Sequence, residues 1–589
     1  MTFRLLFAAA ALTCPAILAA QDDGVVSRTA DQAPHDRLHT LFERTDRAFI
    51  ERNPVAAFFR GDFSRADQLG PGTTPEAFAA ERRAAQEALA ALTAIDRSAL
   101  SPTDRTAYDV FAFGQQRIVA GTEPEVLRFR TALPLDHFTG LQISYPRLSS
   151  AGGQMPFATV ADYDNALKRH TQFEPLIDQA IAGMRKGVGD GVVHSRVATQ
   201  TLIEQLDTQL AMTTEQTPYW TPIAQMPAAI EGPERNRLES AFRQAIEQDI
   251  QPALRRLRTF LADEYLKSAR DGIGLASAPG GEGYYRYRVA EMTTLPLEPE
   301  AVHQLGLAEV ARITAALEEA RSQAGDRKPT FYRDKAALTE AWYEVGRRVD
   351  PLLPRLFARL PKTPLEIRPY EDYREKFILA ASYNAGNPET AKPGVFYFSG
   401  YDLANRDVAP SVALYMHEGN PGHHFETMFA FENGELPAFQ RYGGYTAFSE
   451  GWGLYAESLG YELGLYDDPL DRIGALAGGE LLRAVRLVVD TGIHAKGWSR
   501  DQAVEYMVAN GQPRPFAESE VNRYIVMPGQ ALAYKVGELK IKELRNKAET
   551  ALGSRFDVKA FHQQVLEFGD VPLSVLEAKI DAWIAAGGA

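Results

Sequence analysis

Cysteine is almost missing from this chain: one, Cys14, in 589 residues, and it falls in an apolar stretch at the very N-terminus. Beyond that stretch no thiol is available as nucleophile, as zinc ligand or for a disulfide. A chain of this length buries enough apolar surface to do without cross-links. A surplus of positive charge is also lacking. Lys and Arg number 63 against 77 Asp and Glu, a formal net charge of −14, and the charges are interspersed. With no basic stripe to neutralise phosphates, the pattern argues against nucleic acid as a partner. Past the first 20 residues no run is long and apolar enough to span a bilayer. Internal repeats and low-complexity tracts are missing too, and alternating strand patterns are few.

The apolar N-terminal stretch has its own reading. Met1-Thr2-Phe3-Arg4 is a short basic start, Leu5 to Ala20 is apolar and alanine-rich, and Gln21-Asp22-Asp23 follows. This is the pattern of a signal peptide over residues 1–20, cut near Ala20. A lipoprotein signal at Ala11-Leu12-Thr13-Cys14 fits less well, because the apolar run continues past the cysteine. The chain is therefore expected in the periplasm or secreted.

The rest reads as mainly α. Helical spacing of apolar residues covers Ala30–Ile50, Phe78–Leu92, Val160–Lys186, Arg196–Met212, Arg235–Ala262, Glu298–Ala324, Lys335–Val349, Leu476–Val489, Arg500–Val508, Pro528–Leu552 and Val558–Glu567. The expected architecture is a large helical body with a cleft and a small β-sheet close to the chemistry. A glycine-rich joint, Gly272 to Gly283, suggests an N-terminal helical part over 21–275 and a catalytic part over 281–589. Leu365–Tyr370 alternates, and Val395-Phe396-Tyr397-Phe398 is the best strand. That strand is either a sheet edge along which an extended peptide adds or a buried strand without a ligand role.

Three of the eleven histidines lie in Tyr415-Met416-His417-Glu418-Gly419-Asn420-Pro421-Gly422-His423-His424-Phe425-Glu426. Two imidazoles and a carboxylate are the usual ligands of a catalytic zinc, and a glutamate directly after the first histidine is where the general base of a zinc peptidase sits. The spacing departs from H-E-x-x-H: the fourth residue after His417 is Pro421. Proline removes the hydrogen bond back to His417 and clashes with its carbonyl, so the helix is expected to break over Asn420–Gly422. That break brings His423 to the position of the missing ligand. His424 competes, but on an unbroken helix it lies about 10 Å further along the axis. The plainer alternative, that these histidines merely pack, leaves three helix-breaking residues beside them without a purpose.

Downstream, Phe448-Ser449-Glu450-Gly451-Trp452-Gly453-Leu454-Tyr455-Ala456-Glu457 places two carboxylates two turns apart on one helical face among aromatics. Carboxylates in such surroundings need a partner. Glu450 is the expected third ligand; Glu457 either orients a ligand histidine or is a surface residue.

Together, His-Glu-x-x-Pro-Gly-His-His and Ser-Glu-Gly-Trp-x-Leu-Tyr-Ala-Glu resemble a bacterial family known as domain of unknown function 885. So do Asp490-Thr491-Gly492-Ile493-His494, Glu520-Val521-Asn522-Arg523-Tyr524 and Pro528-Gly529-Gln530-Ala531-Leu532-Ala533-Tyr534-Lys535-Val536-Gly537. The resemblance implies a relationship to helical gluzincin-type zinc peptidases, in which two histidines and a downstream glutamate hold the metal. His494 and Tyr524 are the first candidates to stabilise a developing oxyanion. Arg523, Tyr534 and His424 are candidates for substrate contact, Arg523 through a substrate carboxylate. The reading is a secreted zinc-dependent hydrolase of peptides, with zinc on His417, His423 and Glu450, a zinc-activated water and Glu418 as general base. A zinc hydrolase of another small amide or an ester, and a non-catalytic metal-binding protein, are the alternatives. The oligomeric state is not read from the sequence.

Overall fold

A computed structural model describes residues 33–325, 328–370, 375 and 381–588. The expected signal peptide, with Cys14, lies outside the described residues. The helices used below are α1 (Pro34–Arg52), α2 (Pro102–Gly121), α3 (Val160–Asp190), α4 (Pro299–Gln323), α5 (Lys335–Val349), α6 (Val412–Glu418), α7 (His423–Phe431), α8 (Thr446–Glu462), α9 (Leu482–Lys496), α10 (Arg514–Val526) and α11 (Ala533–Leu552). The fold is mainly helical, as the apolar periodicity predicts.

Prolines open several helices here rather than only separating them. Pro34, Pro102 and Pro299 each occupy the first turn of their helix, where a missing N–H costs nothing and the fixed φ is already helical. The sequence reading treats proline as a joint and so passes over α2, although Ser101 caps it by accepting from Asp104 N–H. Thr159 and Asp162 form a capping box at the start of α3. The expected single helix over Arg235–Ala262 is instead two α-helical stretches joined by a π-turn at Ile246–Ile250. Another π-helical segment follows at Leu261–Tyr265, and a third, Ala475–Leu481, leads into α9.

The only sheet among the described residues has three strands in the order β1-β3-β2. They are β1 (Leu365–Pro369), β2 (Ser382–Asn384) and β3 (Gly394–Phe398), with β1 parallel and β2 antiparallel to β3. Of the two readings left open for β3, the edge strand is the wrong one. β3 is central, its backbone groups are engaged on both sides, and Val395, Phe396 and Phe398 are buried. Phe396 stacks near Trp342 of α5 and Tyr415 of α6, which ties the sheet to the start of the motif.

One large apolar core gathers Val110, Phe129 and Val192 from before the glycine-rich joint with Trp342, Phe396, Met416, Phe425 and Trp452 from after it. A second core, from Ala57 to Tyr265, lies wholly before the joint. Helix α8 packs most extensively on α11 and also on α6, so the two motif segments face each other across the large core.

Candidate metal centre

Helix α6 starts at Ser411, whose hydroxyl caps Leu414 N–H, and ends at Glu418. The chain then crosses Gly419-Asn420-Pro421-Gly422, with a cis Asn420–Pro421 peptide, and resumes as α7 at His423. The break falls where proline forbids the regular hydrogen bond. A Cβ at residue 422 would collide with the His417 carbonyl oxygen, so the chain passes there only as glycine. Trp452 of α8 holds the crossing by donating from Nε1 to Pro421 O at 2.8 Å, and Asn420 Nδ2 donates to Asp350 Oδ1 at 3.3 Å.

The interruption turns His423 toward His417. Their rings lie 4.8 Å apart, nearly perpendicular. Glu450 Oε2 lies 3.4 Å from His417 Nε2 and 3.4 Å from His423 Nε2. All three candidate ligand atoms fall within 4.8 Å of one another. His417 is buried, and its ring rests on the backbone of α8: a Cβ on Gly453 would stand 2.8 Å from Cε1. Gly453 and Glu450 are thus one face of α8, one clearing space for the ring and the other meeting it.

Behind these atoms stands a further layer of carboxylates. Glu457 Oε1, two turns along α8 from Glu450, lies 2.8 Å from His417 Nδ1. The contact is one of charge and proximity, and a carboxylate so placed can orient a histidine whose Nε2 faces the cluster. Arg483 approaches the same Glu457 oxygen at 3.7 Å. On the other side, His423 Nδ1 lies 3.4 Å from Ser449 Oγ, which donates to Glu426 Oε2 at 3.1 Å. Asp570 faces Glu426; burial first and that carboxylate second hold the Asp570 carboxyl well above the ordinary range.

The electrostatics follow from this packing. Burial works against charge on Glu450, yet the neighbouring His417 and His423 imidazoles outweigh it and hold the carboxyl well below the ordinary value. Burial likewise opposes charge on both histidines, and the surrounding carboxylates raise them nonetheless. Glu418 differs. Burial pushes its carboxyl up, and the neighbouring imidazoles only partly offset this.

His424 points the other way. Its Nδ1 meets Tyr383 Oη at 3.1 Å and its Nε2 meets Thr363 O at 3.0 Å, so it ties α7 to the sheet, and burial lowers it to about 4. His494 is fully buried. Its Nδ1 accepts from Leu275 N–H at 3.2 Å and its Nε2 donates to Tyr524 O at 2.9 Å. The Tyr524 hydroxyl accepts from Arg486 Nε at 3.0 Å and donates to Glu520 Oε2 at 2.7 Å. The polar atoms of His494 and Tyr524 are thus engaged inside the protein, and among the described residues no hydrogen bond or ion pair joins them directly to the His417 cluster. Arg523 Nη2 reaches Gln530 Oε1 at 2.7 Å and Tyr534 Oη at 3.3 Å. Tyr534 sits nearer the cluster: the Arg483 guanidinium, which touches Glu457, lies 5.8 Å from its ring and that of Arg486 lies 4.5 Å away.

A family profile described as "Bacterial protein of unknown function (DUF885)" matches residues 54–580, most of the chain. The chain belongs to the DUF885 family. A solved structure from Colwellia psychrerythraea, described as a putative lipoprotein, shares 26% identity with a TM-score of 0.85, over 94% of this chain and 100% of that one. A second, a "putative lipoprotein of unknown function" from Shewanella oneidensis, shares 17% identity with a TM-score of 0.68, over 92% of this chain and 99% of that one, and shows the common fold alone. A structure described as a putative oligoendopeptidase F from Bacillus anthracis aligns at 11% identity and a TM-score of 0.30, too low to bear on fold or activity. No protein of curated function matches the chain.

Several residues of this DUF885 centre escape the sequence reading. Arg483, Ser449, Glu426 and Asp570 surround the cluster. Glu426 stands in the histidine motif and Ser449 beside Glu450, so their position is visible in the sequence, though their orientation is not. Arg483 and Asp570 come from distant segments with no local pattern to mark them. Among the described residues no helix is long and apolar enough to cross a membrane.

Proposed function

We propose that this protein is a zinc-dependent hydrolase acting on peptides, with His417, His423 and Glu450 as metal ligands and Glu418 as general base. The observation that carries the reading is the convergence of His417 Nε2, His423 Nε2 and Glu450 Oε2, with an ionisable Glu418 beside them. The donor set fits the ion. Zinc bonds of about 2.0–2.1 Å in a tetrahedral site put neighbouring ligand atoms roughly 3.3–3.4 Å apart, and the two imidazole–carboxylate separations are 3.4 Å. Two nitrogens and one oxygen leave a position open, as catalytic rather than structural zinc requires.

When bound, zinc at this donor set supplies Lewis acidity toward a carbonyl and lowers the pKa of water. The remaining chemistry belongs to the chain. A Glu418 carboxylate oxygen takes a proton from the attacking water as its oxygen bonds to the carbonyl carbon, then passes that proton to the leaving nitrogen as the C–N bond breaks. Burial raises the Glu418 carboxyl above its ordinary value. Glu457 fixes the His417 ring, and the Ser449–Glu426–Asp570 chain fixes His423. Arg523, whose side chain is about one-fifth exposed, and Tyr534 are the groups we assign to a substrate carboxylate. We also propose an envelope location, reached through a signal peptide over residues 1–20. The description of the Colwellia psychrerythraea structure as a putative lipoprotein supports the envelope location.

Metal analysis of the purified protein, combined with digestion of a peptide library, tests the function. Stoichiometric zinc with cleavage is expected, and Glu418→Gln is expected to keep the metal while losing about 10²–10⁴-fold in turnover. Zinc without peptide cleavage but with ester or other amide hydrolysis would move the substrate class. Full activity of the Glu418→Gln protein would remove Glu418 from the chemistry.

A further inference from the structure

A second group of metal-ligating side chains lies far from the motif in sequence, at the start of the described chain. His35 and His39 are one turn apart on α1, and Asp104 sits in the first turn of α2. His35 Nδ1 lies 3.0 Å from Asp104 Oδ2, and His39 Nε2 lies 3.1 Å from Asp104 Oδ1. The three ligand atoms all fall within 4.8 Å of one another.

Ordinary helix packing explains part of this. Asp104 belongs to the cap of α2, where Ser101 Oγ donates to Oδ2 at 2.9 Å and accepts from Asp104 N–H at 3.1 Å. Capping does not explain why two imidazoles converge on the two oxygens of one carboxylate. The rings are 4.2 Å apart. A single divalent cation can take one lone pair from each of the three groups. The spacing suits it: neighbouring ligand atoms in a tetrahedral zinc site are roughly 3.3 Å apart.

Exposure points the same way. The Asp104 side chain is 8% exposed and so fixed, whereas those of His35 and His39 are 58% and 34% exposed. Water can therefore complete a coordination shell. A cavity of about 710 Å³, lined by His39, Asp46, Arg60 and Glu435 among others, opens beside the group. Histidines one turn apart on a helix present their nitrogens to the same side, and a two-nitrogen, one-oxygen set suits a borderline cation rather than calcium or magnesium.

We propose that His35, His39 and Asp104 form a second divalent-cation site, binding Zn²⁺ and tying the first two turns of α1 to the first turn of α2. It is independent of the catalytic reading, since it shares no residue with the His417 cluster. The test is a zinc titration of metal-free full-length protein against a chromophoric chelator, with thermal melting alongside. Two equivalents are expected for the wild type and one each for His39→Ala and His417→Ala. In His417→Ala, added zinc should still raise the melting temperature, and that rise should vanish when His39→Ala is added. His35→Ala, at the most exposed ligand, guards against a folding defect and is expected to match His39→Ala. A wild type that takes one equivalent, lost with His417→Ala, overturns the proposal. So do two equivalents retained in both His35→Ala and His39→Ala.

Discussion

Two corners of the C-terminal half hold histidine, carboxylate and arginine in similar supply and use them in opposite ways. In the first, His417 and His423 turn one nitrogen each toward Glu450 Oε2, while Glu457 and the Ser449–Glu426 pair stand behind the other nitrogens. In the second, His494 gives both nitrogens to the backbone, and the Tyr524 hydroxyl lies between Arg486 and Glu520. The same corner interlocks two more of the family-like runs, because Asp490 accepts from Tyr285 Oη at 2.6 Å and from Gly529 N–H at 3.1 Å. His417, with Nδ1 2.8 Å from a carboxylate, has Nε2 left to face the cluster. A histidine with both nitrogens on peptide groups is a rivet. Burial acts on both, but only in the second corner does it win: it lowers His494 to about 4, whereas the carboxylates raise His417 and His423.

The comparison breaks most visibly at the ligands themselves. His417→Ala and Glu450→Gln are each expected to lose nearly all zinc from the motif site while the far-ultraviolet circular dichroism stays helical; retention of that zinc would sink the ligand assignment. Next comes the choice between adjacent histidines. His423→Ala should lose the metal and His424→Ala should keep it, since His424 is occupied by Tyr383 and Thr363. Titrations with the opposite outcome would place the ligand one residue later.

The riveted corner predicts a pH effect instead. Unfolded His494 takes a proton near its ordinary value of 6.5, whereas folded it resists protonation until about 4. Below 6.5 the unfolded state therefore binds the extra proton, and this stabilising contribution, complete above pH 6.5, fades as pH falls toward 4. The full window is worth about 3 kcal/mol. In urea melts between pH 7 and 4, His494→Gln should lose stability less steeply than the wild type and keep its zinc. Equal slopes would show that His494 is not what resists the proton. Smallest is Glu457→Gln: a weaker anchor on His417 Nδ1 is expected to reduce zinc affinity about 10–100-fold without abolishing binding, and unchanged affinity would make Glu457 a bystander.

Much of the first corner is legible in the chain because its chemistry is concentrated. Pro421 inside an apolar helical pattern announces the interruption, and Glu450 and Glu457 share one face of α8 by spacing alone. The second corner is not legible in the same way. His494, Arg523 and Tyr524 are polar residues in apolar helices, a pattern that serves a cleft and an internal hydrogen-bond network equally well. Strand β3 shows the same limit: its apolar run is plain, but whether it lies at the edge or the centre depends on β2, three residues with little pattern of their own.

By itself, then, the sequence determined the mainly helical body, the break before His423 and the residues able to meet at a metal, because periodicity, proline and ligand type act locally. Which nitrogen faces which oxygen was decided by the tertiary structure alone. The packing of α8 against α6 and α11 sets Gly453 under the His417 ring and Glu457 behind it, and the meeting of α9 with α10 and the Gly274–Leu275 turn closes around His494. A side chain's chemistry comes from its type, but its availability depends on what the fold has already bound to it.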